Sequence, residues 1–249
     1  DKLALSTEKL LAGTDSKITT VGYYCNPIQY AEHRKTLENV ICTAGKFGAT
    51  HVSTFAGAWE GKPVESAYEE FGKVFRELAD LAEEKGVKLG IENCLMDGTW
   101  EHATCNIGFN PKAWEVMFEE VKNDNFGLEW EPTHQMVQLI DPVTELRKWC
   151  KKIVHIHGKD ATIDWDAVRH SGISGAVPFV WHRMPGFGDT NWRDIISILR
   201  SNGYEDDICI EGYHDPVYSG ELEMTGQLHA LNYLKWCRGG EFTPTPWAK

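Results

Sequence analysis

Short runs of β-branched and aromatic residues alternate along the chain with longer stretches in which apolar residues recur every three or four positions. Such short runs are typical of buried strands, and such long stretches are typical of amphipathic helices. Seven strands are predicted, at 18–24, 49–57, 88–94, 126–131, 152–157, 179–184 and 207–212. The alternation of strand and helix predicts parallel strands covered by helices.

The helical stretches carry their own boundary signals. Asn110 and Asp141 each precede a proline, and a side-chain oxygen followed by the fixed φ of proline favours a helix start. Asn191 is a third predicted start. Helices are predicted near 1–13, 37–47, 68–86, 110–121, 191–203 and 221–237, and a further helix is predicted to begin at Asp141.

The length and the pattern together predict one (β/α)8 TIM barrel. The chain has 249 residues, and 42% of them are hydrophobic, which is enough for a single barrel core. We expect residues 1–240 to form a single catalytic barrel domain and 241–249 to form a C-terminal tail. Because seven strands are found and the chain opens on a helix-like stretch, we expect the first barrel strand to be absent or truncated; a seven-strand barrel is the alternative.

The charge and the cysteines restrict the function. A formal net charge of −12 disfavours nucleic acid and anionic membranes as partners and favours an uncharged small molecule. The seven cysteines form no C-x-x-C pair, which favours a reducing, cytoplasmic location. Neither a run long enough to span a membrane nor a leader with a cleavage site is recognised.

Four potential metal ligands stand at the C-terminal ends of separate predicted strands: Glu92, Glu131, His157 and Glu211. Burying a lone charge there would cost several kcal/mol unless a partner neutralises it. Since the strand C-termini of a parallel barrel face one end, the four side chains are expected to meet around one divalent cation. Three carboxylates and one imidazole favour Mn²⁺, with Mg²⁺, Co²⁺ or Zn²⁺ as alternatives, and cysteine is expected to take no part.

Seven segments occur in the order found in the xylose isomerase-like TIM barrels, and the chain resembles that superfamily over nearly its whole length. The superfamily includes sugar isomerases, ketose 3-epimerases, inosose dehydratase and an apurinic endonuclease. The segments are GYYCNP (22–27), ATHVSTFAG (49–57), GVKLGIEN (86–93), GLEWEPTH (127–134), VHIHGKD (154–160), PGFGDTNW (185–192) and GYEDDICIE (203–211). The resemblance implies the same metal ligands, and it implies a sugar or keto-sugar substrate.

The resemblance also implies roles for other residues, and it has two departures. His134 and Lys159 are expected from the resemblance to contact substrate. Trp59 and Trp130 are expected to do so because indole rings offer flat faces to the C–H faces of sugars, and Arg183 is expected to supply positive charge. Glu131 stands where the family usually has an aspartate, which puts the ligand geometry in question. The arginine that ketose 3-epimerases carry six residues after the histidine ligand is replaced here by Ile163.

The chemistry implied by the resemblance is removal of a proton next to a carbonyl to give an enediolate. Glu92 and Glu211 are expected to act as acid and base, which makes an isomerase or epimerase the first prediction. A keto-sugar dehydratase or lyase using the same site is the alternative, and a non-catalytic sugar-binding subunit is another. The endonuclease activity is disfavoured because the chain is acidic, and a homo-oligomer is expected by analogy with the family.

Overall fold

The computed structural model describes residues 2–241 and 243–246, so part of the predicted tail lies outside the described residues. The chain divides into two compact units. The first unit comprises residues 1–135 and 151–156, and the second unit comprises residues 136–150 and 157–249.

The secondary structure follows the predicted alternation. The strands are Thr20–Gly22 (β1), His51–Thr54 (β2), Lys88–Glu92 (β3), Phe126–Trp130 (β4), Ile153–Gly158 (β5), Asp160–Ile163 (β6), Val180–Arg183 (β7) and Ile208–Ile210 (β8). The α-helices are Lys2–Leu11 (α1), Ala31–Ala44 (α2), Tyr68–Glu84 (α3), Pro111–Glu120 (α4), Pro132–Met136 (α5), Pro142–Trp149 (α6), Trp165–Ser171 (α7), Trp192–Ser201 (α8) and Glu223–Arg238 (α9). Short 3-10 turns occupy Gly45–Phe47, Val64–Ala67, Cys150–Lys152 and Gly220–Leu222.

A parallel sheet in the order β1-β2-β3-β4-β5 organises the first unit, to which β5 contributes its residues up to Ile156. The predicted apolar stripe of α3 is buried, with Phe71, Phe75 and Leu78 at most 1% exposed. Helix α4 begins as predicted, because the side chain of Asn110 accepts a hydrogen bond from the backbone of Lys112. The periodicity therefore identifies the core of this unit correctly.

In the second unit, β8 lies beside the end of β5, where the backbone N–H of Glu211 donates to the carbonyl of Gly158 at 3.1 Å. Helix α8 begins at the predicted Asn191 cap and buries Trp192, Ile195 and Leu199. No described helix combines the length with the apolar character that crossing a bilayer requires.

Two sequence predictions need correction in the second unit. The segment predicted at 179–184 is a strand, but it pairs antiparallel with β6 and not as a further parallel strand. The reason is that β6 follows β5 after the single residue Lys159, so the pattern did not separate the two strands, and β6 takes up the antiparallel pairing with β7. In α9, Leu234 is buried as the stripe predicts, whereas Leu228 and Leu231 are 59% and 40% exposed.

Gly127 provides a test of the packing between β4 and β5. A Cβ atom at this position would collide with the backbone carbonyl oxygen of Lys152 and would approach Val154 Cγ1 to 2.7 Å. We expect Gly127→Ala to lower the free energy of unfolding by roughly 1–3 kcal/mol through overpacking. Gly45→Ala is the control, because Gly45 has φ −61° and open space around its Cα. Equal urea-unfolding midpoints for the two variants would contradict this account of the sheet.

Candidate metal centre and active site

Two buried asparagine side chains fix the strand ends that carry the first pair of glutamates. Asn93 joins β3 to β4, because its Nδ2 donates to the carbonyl of Glu131 at 3.0 Å and its Oδ1 accepts from the Glu131 N–H at 2.7 Å. Asn106 Nδ2 donates to the carbonyls of Glu92 and Cys94 at 2.9 and 2.8 Å. Both amides are completely buried, so the backbone under each glutamate is held by bonds that water cannot replace.

The carboxylates of Glu92 and Glu131 are buried close together in the first unit. Glu92 is 7% exposed and Glu131 is 0% exposed, and a carboxylate oxygen of one lies within 4.8 Å of an oxygen of the other. His134, from the turn of helix that follows β4, places Nε2 3.3 Å from Glu131 Oε1. Two buried like charges at this separation repel each other, so the pair fits a divalent cation by both charge and ligand type.

The second unit carries the other two predicted ligands as a pair. His157 Nδ1 lies 3.0 Å from Glu211 Oε2, and Lys159 Nζ donates to Glu211 Oε1 at 2.9 Å. The Lys159 side chain is 3% exposed. A buried ammonium therefore lies two residues after one predicted ligand and in contact with another, where its charge offsets that of the carboxylate.

Two further histidines, His182 and His214, lie near this pair. His182 pairs with Ala161 in the antiparallel β6–β7 pair, and Lys159 directly precedes β6. Burial lowers the pKa of His182 to about 4, and the positive charge of Lys159 and the nearby His214 contribute, whereas Glu211 opposes the shift. The rings of His182 and His214 are 5.7 Å apart.

Asp215 fixes the loop that carries His214. Its carboxylate accepts hydrogen bonds from the backbone of Met184 at 2.7 Å and from the backbone of Val217 and Tyr218 at 2.8 Å each. Burial alone would raise the pKa of Asp215, but these backbone donors hold it below its usual value. His214 itself has a left-handed φ of 72°, which a non-glycine residue adopts only when its surroundings impose it.

The predicted substrate contacts have different surroundings. Trp130 is completely buried, and its indole donates to Gln135 at 2.8 Å, so it is a core residue and offers no face to a substrate. Arg183 uses Nε to bind Asp215 at 3.3 Å. Trp59 is half-buried in the loop after β2, where its contact with substrate stays a prediction.

Sequence reasoning missed Glu129, a completely buried carboxylate on β4. It accepts hydrogen bonds from Ser53 Oγ at 2.5 Å and Tyr24 Oη at 2.8 Å, and His155 Nε2 lies 3.8 Å from it. His155 is buried as well. The signal for Glu129 was present, because it stands two residues before Glu131 and therefore shares its face of the strand.

Comparison with known proteins assigns the fold family. A family model described as a xylose isomerase-like TIM barrel matches residues 5–235. The chain belongs to this family. The fold and the family predicted from the sequence are therefore confirmed.

Among relatives of this xylose isomerase-like chain, an inosose dehydratase of Clostridium tetani is 26% identical over 182 residues. That alignment covers 71% of this chain and 57% of the relative, so the chain spans little more than half of that protein. The solved structure of IolI with a bound zinc atom aligns with a TM-score of 0.72 and 19% identity, covering 97% of this chain and 83% of IolI. A D-psicose 3-epimerase structure aligns with a TM-score of 0.70 and 16% identity, covering 96% and 84%. Structural similarity at such low sequence identity shows only that the fold is shared.

The low pKa of His182 makes the stability of this xylose isomerase-like chain depend on pH. Between about pH 6.5 and 4 the unfolded chain binds a proton at this residue and the folded chain does not, so stability falls as the pH is lowered through this range. We expect His182→Asn to reduce the slope of unfolding free energy against pH in this window. His170→Asn is the control, because His170 is exposed in the same unit. Identical slopes for wild type and His182→Asn, measured by urea unfolding, would be inconsistent with a buried neutral imidazole.

Proposed function

We propose that this chain is a metal-dependent dehydratase that removes water from a keto-polyol by elimination next to the carbonyl. The observation that carries the proposal is the buried Lys159 ammonium bonded to Glu211, because elimination needs a proton donor for the departing hydroxyl as well as a base. The similarity to curated inosose dehydratases also supports elimination.

The proposal takes over the ligand set predicted from the sequence, which is Glu92, Glu131, His157 and Glu211. The pair in each unit fits a ligand role by itself, since oxygen and imidazole are ligands that Mn²⁺ accepts. A bound divalent cation would supply positive charge for the oxygen of the substrate carbonyl. The identity of the metal as Mn²⁺ follows from the ligand types and is part of the proposal; the zinc atom of the IolI structure keeps Zn²⁺ as the alternative.

In the proposed reaction, one side chain removes a proton from the substrate and another donates a proton to the leaving group. Glu92 takes the proton from the carbon next to the carbonyl, and the electron pair of that C–H bond becomes the new carbon–carbon double bond. The neighbouring C–O bond breaks, and Lys159 donates a proton so that the hydroxyl leaves as water. Exchange with solvent then returns a proton to Lys159 and removes one from Glu92. His134, whose Nε2 lies 3.3 Å from Glu131 Oε1, would hydrogen-bond a substrate hydroxyl in this proposal.

Two features favour elimination over the epimerase reaction first expected from the sequence. Epimerisation by two carboxylates needs Glu211 to accept or deliver a proton, but both of its oxygens have partners, one in His157 and one in Lys159. Ile163, which replaces the arginine of the ketose 3-epimerases, lies in the hairpin strand β6 and pairs with Val180. The sugar-binding alternative predicts binding without turnover.

A substrate panel in D2O separates these functions. Purified protein with added Mn²⁺ is incubated with a keto-inositol, with free ketoses and with 3-keto-glycosides, and the products are identified by mass spectrometry and NMR. We expect loss of one water from the keto-inositol, and we expect a chelator to abolish it. Deuterium at an inverted carbon without loss of water would instead support an epimerase, and binding without any conversion would support a sugar-binding subunit.

Lys159→Arg tests the proposed proton donor. Arginine keeps the positive charge but does not release a proton in proteins, so dehydration should fall by about 100-fold or more. Lys35→Arg, an exposed lysine in the first unit, is the control and should retain wild-type turnover. Substrates with fluoride in place of the departing hydroxyl need no proton donor, so the defect of Lys159→Arg should shrink to less than about ten-fold with them. An equal defect with both leaving groups would remove Lys159 from this role.

A further inference from the structure

A second group of ligand atoms lies within the first unit and includes a thiol. Glu92, Cys94 and His134 each offer one ligand atom, and these three atoms lie within 4.8 Å of one another. Glu92 and His134 are buried, whereas Cys94 is half-buried. An ion could therefore reach the three side chains from solvent on the side where Cys94 lies. The three donors are a carboxylate oxygen, a sulfur and an imidazole nitrogen.

The backbone keeps this group in place. Asn106 binds the carbonyls of both Glu92 and Cys94, and its Oδ1 accepts from the backbone of Ala56 and Gly108 at 3.0 Å each. This amide uses all four of its hydrogen-bonding positions within one buried cluster. The spacing between the carboxylate and the thiol is therefore fixed by a rigid part of the loop after β3.

Two residues with a left-handed backbone conformation follow shortly after Cys94 in the chain. Met96 and Asp97 have φ values of 51° and 57°, which non-glycine residues adopt only when the surroundings impose them. The loop that carries Cys94 thus turns sharply just after the thiol. A metal site needs ligands that are positioned before the ion arrives, and this loop meets that need.

We propose that Glu92, Cys94 and His134 form a zinc site distinct from the four-ligand set. Zn²⁺ is commonly bound by three protein ligands of these types with water in the fourth position, whereas the carboxylate-rich set favours Mn²⁺ or Mg²⁺. The proposal departs from the sequence-based expectation that cysteine takes no part in metal binding. It does not rest on the proposed function, but one consequence does: because Glu92 belongs to both sets, zinc at this site would compete with the catalytic cation.

Cobalt titration tests the site directly, because Co²⁺ replaces Zn²⁺ in such sites and a thiolate ligand adds a charge-transfer band in the near ultraviolet. We expect the wild-type protein to show this band at one equivalent of Co²⁺ and to lose it when Zn²⁺ is added. Cys94→Ser should lack the band and bind Zn²⁺ at least about ten-fold more weakly. Cys105→Ser is the matched control, since Cys105 is also half-buried in the first unit, and it should behave as the wild type.

The proposal is overturned if saturating Co²⁺ produces no thiolate band in the wild type, or if the band persists in Cys94→Ser. An independent measurement on the wild type covers the case in which the variant does not fold. Zn²⁺ should slow alkylation of Cys94 by iodoacetamide, mapped by mass spectrometry, while the exposed Cys42 and Cys209 react at unchanged rates. Equal rates at Cys94 with and without Zn²⁺ would also overturn it.

Failure of the dehydratase proposal can be distinguished from failure of the zinc-site proposal. If the protein has no dehydratase activity, the cobalt band and the alkylation rates still report on the zinc site. If it has activity with Mn²⁺, we expect Zn²⁺ to inhibit the wild type and Cys105→Ser, and to inhibit Cys94→Ser at least about ten-fold less effectively. Equal inhibition of all three would contradict competition for Glu92 without affecting the assignment of the dehydratase.

Discussion

Burying two carboxylates within 4.8 Å of each other is opposed by desolvation and by like-charge repulsion, and the first unit does so with Glu92 and Glu131. The fold supports this arrangement with completely buried amides: Asn93 bonds the β3 end to the β4 end, and Asn106 bonds the loop that follows β3. Rigid backbone prevents the glutamates from moving apart. The proposed divalent cation would stabilise such a pair by both charge and ligand type.

In the second unit, the carboxylate of Glu211 has different neighbours. Glu211 has a buried ammonium and an imidazole as neighbours, so its negative charge is offset within the unit. In the proposed elimination, Glu92 acts as the base, and Glu211 holds Lys159 as the proton donor. These unequal roles distinguish the proposed elimination from a symmetrical exchange of protons between two carboxylates.

Periodicity predicted seven strands and the main helices, because buried faces leave a direct trace in the order of apolar residues. The placement of Glu92, Glu131 and Glu211 at strand ends was equally accessible, since it depends on chain position alone. Features that depend on tertiary neighbours were not. The sequence does not distinguish Asn93, whose side chain bonds two strand ends, from a surface asparagine. It also does not show that Trp130 is completely buried.

Other misses have specific causes. Strand β6 follows β5 after a single residue, so it was not recognised as a separate strand, and its partner β7 was read as a parallel strand. Cysteine was left out of the predicted metal site because the ligand set is rich in oxygen, and the proximity of Cys94 to His134, which follows another strand, is a tertiary feature. The convergence of all four predicted ligands on one cation remains a prediction.

The central claim is that the Glu92 and Glu131 pair requires a cation, and equilibrium urea unfolding of wild type and Glu131→Gln, with chelator and with Mn²⁺, tests it most directly. Without a cation, the account predicts that Glu131→Gln is more stable than the wild type, because one buried charge is removed. With Mn²⁺ at about 100 times its Kd, the wild type should gain about 2.7 kcal/mol and the variant much less. A wild type that is the more stable of the two in chelator, and that does not respond to Mn²⁺, would contradict the account.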